Sequence, residues 1–286
     1  MNKLYFILGP TASGKTARAI ELAQQLGTEI VSCDSRQFYH ELDIGVARPS
    51  AAELAAVKHH FIACRSVEDP YNVFTFEQEA MAQLELLFRE HETVVAVGGS
   101  GLYIEALRHG VSLMPDPAPE LRASLQQKLR DEGAESLAAM LKELDPAYYQ
   151  RVDLANGVRI QRALEVCITT GRPYSQVIDQ PLQPRPFDVE VEVIDRPREV
   201  LRQRIDQRVD LMMDSGLEDE ARRMYAQRHL TALNTVGYKE FFGLWDAVGE
   251  TTALTTDQRT AVADAIKLNT WHYAKKQITW LKKKGQ

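Results

Sequence analysis

Leu4 to Thr16 reads LYFILGPTASGKT, and this stretch decides the fold. An apolar run with strand character leads to Gly9 and four further residues. Gly14-Lys15-Thr16 then opens a stretch of helix formers in which Leu22, Ala23 and Leu26 recur at helical spacing. Strand, glycine-rich turn and helix in that order are the setting of a phosphate-binding P-loop. Physical chemistry assigns roles along Gly9, Pro10, Thr11, Ala12, Ser13, Gly14, Lys15 and Thr16. The glycines let backbone N–H groups curl around phosphate oxygens, and the helix start adds partial positive charge. Lys15 supplies a point charge, and Thr16 offers a hydroxyl to a magnesium ion. A diphosphate or a nucleotide such as ATP suits this loop equally, so the choice between them rests on the remaining chain.

Further apolar runs at Glu29 to Cys33, His60 to Ala63 and Thr93 to Val97 read as parallel strands, separated by helical stretches at Ala17 to Leu26 and Phe74 to Glu90. Strand alternating with helix predicts an α/β layer architecture with ligands at the carboxyl ends of the strands. Beyond Gly110 the pattern changes. Pro115, Pro117 and Pro119 open a region of amphipathic helices, and a second proline cluster, Pro173 to Pro186, closes it. Phe187 to Asp195, FDVEVEVID, resumes the strand pattern with alternating acids that fit a solvated side or an edge. The remainder reads as helices. The predicted organisation is therefore a P-loop parallel-sheet core begun by residues 1–113, a helical insertion domain over 114–186, and a mostly helical completion of the core over 187–286.

Composition fits a chain that buries a full core, with 286 residues, 44% hydrophobic and 26% charged. There is no signal-peptide pattern at the start and no apolar run of bilayer-spanning length, so a cytoplasmic protein without membrane attachment is expected. Cys33, Cys64 and Cys167 are widely spaced and lack a CxxC pair, which predicts buried free thiols in place of disulfides or a zinc cluster. The net charge of −6 argues against a nucleic-acid partner. Its distribution argues the other way. From Lys267 the chain carries His272, Lys275, Lys276, Lys282, Lys283 and Lys284 and no acid, with Trp271, Tyr273 and Trp280 interleaved as in single-strand binders.

Other residues point to chemistry. VSCDSRQFY places Asp34, Ser35, Arg36 and Gln37 at the end of the second strand, where a carboxylate can ligand magnesium, fix a hydroxyl or act as a base. The strand after Thr93 ends in Gly98-Gly99-Ser100-Gly101 where an ordinary P-loop NTPase has an acid, so close backbone approach to a ligand is expected, with Ser100 in contact. Arg159 and Arg162 are three apart and share a helix face with Gln161 and Asn156 nearby. Among Arg196, Arg198, Arg202, Arg204 and Arg208, one functional arginine is expected, the others making helix-surface pairs. These residues alone leave open a transferase, a P-loop kinase of a nucleoside or small metabolite, and a nucleotide-gated RNA-binding module.

Taken together, GPTASGKT, DSRQFYHELDIGVARP, VGGSGLY, RIQRALEV, DRPREVLRQRIDQRVDLMMDSGL, TVGYKE and AKKQITW, in that order, resemble the tRNA dimethylallyltransferase (tRNA isopentenyltransferase) family over nearly the full length. Ser100 stands where that family usually has Thr, and Lys276 where it often has Arg; the zinc-finger extension of eukaryotic members is missing, so a bacterial-type member is expected. The resemblance implies transfer of a dimethylallyl group from dimethylallyl diphosphate to N6 of the adenosine immediately 3′ of the anticodon. It implies catalytic roles for Asp34, Thr16 and Arg208, the diphosphate in the Gly9–Thr16 loop, and magnesium at Thr16. It places tRNA contacts at Asp34, Ser35, Arg36, Gln37, Ser100, Arg122, Val158, Arg159, Ile160, Gln161 and Arg162. The expected partner is the anticodon stem-loop of tRNA, and the expected state a monomer.

Overall fold

The apolar run after Lys3 becomes a central strand because Leu4, Phe6, Ile7 and Leu8 are sealed on both faces. The computed structural model describes residues 2–180, 182–249 and 253–284. In it, β1 (Lys3–Leu8) pairs in parallel with β4 (Thr93–Gly98) on one side and β5 (Asp188–Val193) on the other. β2 (Ile30–Ser32) and β3 (His59–His60) complete a five-stranded sheet of order β3-β2-β4-β1-β5, parallel throughout. β3 is shorter than the expected His60 to Ala63 because Phe61 and Ala63 adopt φ of 63° and 48°, which ends extended pairing. β5 is one of the two edge strands, and its acids are held: Glu190 by Lys3 at 2.7 Å and Glu192 by Arg18 at 2.9 Å.

The chain divides into two compact units, Met1–Arg108 with Arg185–Gln286, and His109–Pro184. The divisions fall a few residues before 113/114 and 186/187. Arg185 belongs with the sheet because its Nη2 donates to Glu77 Oε1 at 2.6 Å and to the Ala106 carbonyl. Of the second proline cluster, Pro181 lies outside the described residues.

The sheet unit carries α1 (Lys15–Leu26), α2 (Ala51–Ala56), α3 (Val73–Leu87) and α4 (Gly101–His109) in its first part. The helical unit holds α5 (Pro119–Leu144), α6 (Pro146–Tyr149), α7 (Gly157–Thr170) and α8 (Tyr174–Ile178). Its core is Leu125, Leu137, Leu141, Ile160, Ala163 and Leu164. α9 (Arg198–Asp214), α10 (Leu217–Met224), α11 (Lys239–Val248) and α12 (Thr256–Lys284) complete the sheet unit. No helix among the described residues is long and apolar enough to cross a membrane.

One cysteine departs from expectation. Cys33 and Cys167 are buried, but Cys64 is exposed, because it lies in the irregular segment that follows the turned Ala63 and not on a strand.

Candidate active site

β4 lies between β1 and β2, so the turns that follow these strands leave the sheet side by side; Leu8 is in register with Gly98, and Ser32 with Val97. Glycine is needed where they meet. A Cβ at Gly98 would lie 2.7 Å from the Cys33 carbonyl oxygen, and one at Gly9 would lie 2.6 Å from Ser13 Oγ. Between the turns opens a cavity of about 350 Å³, lined by Thr11, Gly14, Lys15, Thr16, Asp34, Gln37, Glu53, Arg204 and Arg208 among others.

The Gly9–Thr16 loop is held from outside. Ala12 and Gly14 take φ of 62° and 98°, curling the loop before α1 begins. Arg204 Nε donates to the Ala12 carbonyl at 2.7 Å, Arg196 Nε donates to that of Ser13, and Arg208 Nη1 donates to Thr11 Oγ1 at 3.4 Å. Lys15 folds back toward the Pro10 carbonyl at 3.4 Å. Three arginines thus reach the loop where one was expected. Two of them follow from the direction of the apolar stripe of α9: Leu201 and Ile205 pack with Ala12 of the loop and Ala274 of α12, which carries Arg204 and Arg208 to the loop, while Arg196 reaches Ser13 from the segment before that helix. Burial lowers the Lys15 ammonium to about 8, with nearby Arg208 adding to the fall and Asp34 opposing it. Burial, and then the charge of Arg204, also lowers Arg208. Crowded, partly desolvated cations of this kind are what a multiply charged anion relieves.

The second turn is organised around Asp34. Its Oδ1 accepts from Arg36 N at 3.0 Å, and Ser35 N donates to Ser100 Oγ at 3.1 Å. Arg36 is occupied internally, donating to the carbonyls of Thr231 and Ala232 at 3.1 and 3.0 Å. Gln37 donates to the Val46 and Ala47 carbonyls at 3.2 and 2.9 Å. Asp34 supplies a carboxylate that faces Lys15 and Arg208 across the cavity, and Glu53, on the same lining, is a second acid near Arg208. Ser100 is buried, its hydroxyl shared with Ser35.

Sequence reasoning missed Gln277. Its Oε1 accepts from Thr11 N at 2.9 Å and its Nε2 donates to the Gly99 carbonyl at 2.9 Å. The available signal was an amide inside a buried helical stripe, between Ala274 and Leu281. Trp271 and Trp280 are partly buried against the core, Trp280 lying over Gly101. Tyr273 keeps 43% exposure. Of the basic residues, Lys267 pairs with Asp210 at 2.6 Å and Lys284 with Glu105 at 3.5 Å, while His272, Lys275, Lys276, Lys282 and Lys283 are exposed on α12.

In the helical unit, Val158 and Arg159 are exposed at the start of α7. Arg162 donates to Glu165 Oε2 at 3.1 Å, Arg122 approaches Glu165 Oε1 at 3.5 Å, and Gln161 donates to that same oxygen at 2.9 Å. Glu165 itself is buried. Ile160 departs from its expected contact role. It is fully buried in the core of this unit, because the stripe of α7 that faces α5 runs through it, so its side chain offers no outward surface.

A parallel α/β sheet with a glycine-rich turn after its first central strand, cations gathered on that turn and a carboxylate on the next, defines a class: proteins that hold a phosphorylated ligand at the carboxyl ends of a sheet. The model of the IPP transferase family matches residues 37–284. A tRNA dimethylallyltransferase from Christiangramia forsetii is 46% identical over 282 residues, covering 99% of this chain and 91% of the relative. The crystal structure of a full-length tRNA isopentenylpyrophosphate transferase from Bacillus halodurans superposes with a TM-score of 0.69 at 31% identity, over 99% of this chain and 88% of that one. A structure of a eukaryotic dimethylallyltransferase acting on tRNA gives a TM-score of 0.79 at 25% identity, over 98% and 70%. The chain belongs to the IPP transferase family.

Proposed function

We propose that this protein transfers the dimethylallyl group of dimethylallyl diphosphate to the N6 amine of the adenosine immediately 3′ of the anticodon in tRNA, releasing diphosphate. The observation that carries the reading is the convergence of Lys15, Arg204 and Arg208 on one loop, with the Asp34 carboxylate facing them. In the reaction the N6–C1 bond forms as the allylic C1–O bond breaks. The leaving diphosphate takes the electron pair, and Lys15, Arg208 and the loop N–H groups stabilise its charge. Asp34 accepts the N6 proton or holds the amine in line. The adenine must leave its stack to reach this carboxylate.

Thr16 and Asp34 line the same cavity and present the hard oxygen donors that magnesium prefers, so the donor set fits that ion, with Thr16 as its expected protein ligand. Bound there, magnesium would neutralise charge on the diphosphate. For tRNA, the supporting features are Arg122, Arg159, Arg162 and Val158 of the helical unit, the Asp34–Gln37 turn with Ser100, and the exposed cations of α12. We place the reaction in the cytoplasm and on a monomer, since one chain carries both the cationic loop and the carboxylate.

The test is incubation of the pure protein with unmodified tRNA and either labelled dimethylallyl diphosphate or γ-labelled ATP. Label entering tRNA from the prenyl donor and not from ATP is expected. Label transferred from ATP alone would overturn the reading in favour of a kinase.

A further inference from the structure

We infer that Gln277 of α12 is a positioning residue that holds the cationic loop and the Asp34 turn in register for the transfer. The inference rests on the prenyl-transfer reading above. Gln277 is 7% exposed, and its amide is used completely across the two glycine turns: Thr11 N donates to Oε1 and Nε2 donates to the Gly99 carbonyl, each at 2.9 Å. Gly99 is followed directly by Ser100. Ser100 Oγ in turn accepts from Ser35 N at 3.1 Å, next to Asp34. Gln277 thus ties the loop that follows β1 to the turn that follows β4, and the next residue of that turn, Ser100, ties it to the turn that follows β2.

The chemistry of the amide suits this place. At a position flanked by the buried Ala274 and Leu281, a leucine would pack without the desolvation cost that an amide brings. An amide presents both an acceptor and a donor on one planar group; glutamate would lose the donor, and asparagine is one methylene too short. The turn is fitted to it as well, since a Cβ at Gly99 would collide with Gln277 Nε2. In a transfer reaction the carbon bound to the diphosphate and the nucleophile beside Asp34 must meet in line, and a misplacement of about 1 Å costs on the order of 10²-fold. The two reactants sit on turns from different strands, and α12 ties these turns together above the sheet edge.

Full-length Gln277→Met tests this. Met keeps the volume and removes both hydrogen bonds. Gln277→Met should lower the single-turnover rate at saturating donor and tRNA by roughly 10- to 100-fold, and should weaken inorganic pyrophosphate binding about tenfold. The variant should keep wild-type tRNA affinity and a melting temperature within a few degrees of wild type. A wild-type rate would overturn the inference. So would rate losses accompanied by equal losses of tRNA affinity and melting temperature, which mark a merely structural role. If the wild-type protein itself transfers no prenyl label, the prenyl-transfer reading fails, and the pyrophosphate titration still decides the role of Gln277: unchanged affinity in Gln277→Met overturns it.

Discussion

Two helices carry arginines at nearly the same spacing and put them to opposite uses. On α9, Arg204 and Arg208 turn inward to the Ala12 carbonyl and the Thr11 hydroxyl. On α7, Arg159 remains exposed and Arg162 is held at the surface of its unit by the buried Glu165. The difference lies in the apolar stripe beside each pair. Leu201 and Ile205 of α9 pack on the loop and α12, which brings the flanking arginines to the cavity. Ile160, Ala163 and Leu164 of α7 pack on α5, which leaves Arg159 outside. An arginine's neighbours on its own helix say little about its task; the acceptor it meets decides. Desolvated cations suit a small anion, and exposed ones suit a polyanion whose hold weakens with salt.

If the comparison holds, the inward set governs the chemical step and the outward set governs tRNA affinity. The largest effect is expected at the carboxylate that the inward cations face: Asp34→Asn should reduce turnover about 10²- to 10⁴-fold with tRNA affinity within a few-fold of wild type, and near-normal turnover would remove Asp34 as the base. Arg208→Met should weaken pyrophosphate binding and donor kcat/KM roughly 10- to 100-fold, measured by titration and steady-state kinetics, with no change in the tRNA Kd. The double variant Arg159→Ala with Arg162→Ala should raise the tRNA Kd about tenfold and flatten its dependence on salt by one to two phosphate contacts or so, leaving the single-turnover rate intact. A fall in that rate would break the comparison.

The smallest effect concerns pH. Lys15 ordinarily titrates near 10.5 and burial holds it at about 8; a bound diphosphate favours the charged form and raises it again. Binding therefore takes up a proton above pH 8, so pyrophosphate affinity, measured with a chelator present, should be full below that pH. As pH rises further it should decline by at most about tenfold per unit. Affinity that is flat to pH 9.5 would mean that Lys15 is not the anion's partner.

Much of this arrangement is legible in the chain. Local physics suffices for the strand, turn and helix of Leu4 to Leu26, for Asp34 at the end of a neighbouring parallel strand, and for the glycine turn at Gly98, since short-range patterning governs all three. What escapes is long-range and polar. The bonds from Arg196 and Arg204 to the loop span 183 and 192 residues, and that from Thr11 to Gln277 spans 266, so no local pattern encodes them. Ile160 misleads for the converse reason: it sits among outward residues in sequence, but the period of α7 turns it into the core.

The Gln277 bridge also bears on how the protein is made. At a synthesis rate of ~5–20 residues per second, roughly ten to fifty seconds separate the emergence of Thr11 from that of its partner 266 residues later. Through that interval the loop lacks the arginines of α9 and the amide of α12 that hold its curled backbone, with Ala12 and Gly14 at positive φ. The curled loop is thus fully braced only once Gln277 has emerged, 266 residues after the backbone it holds.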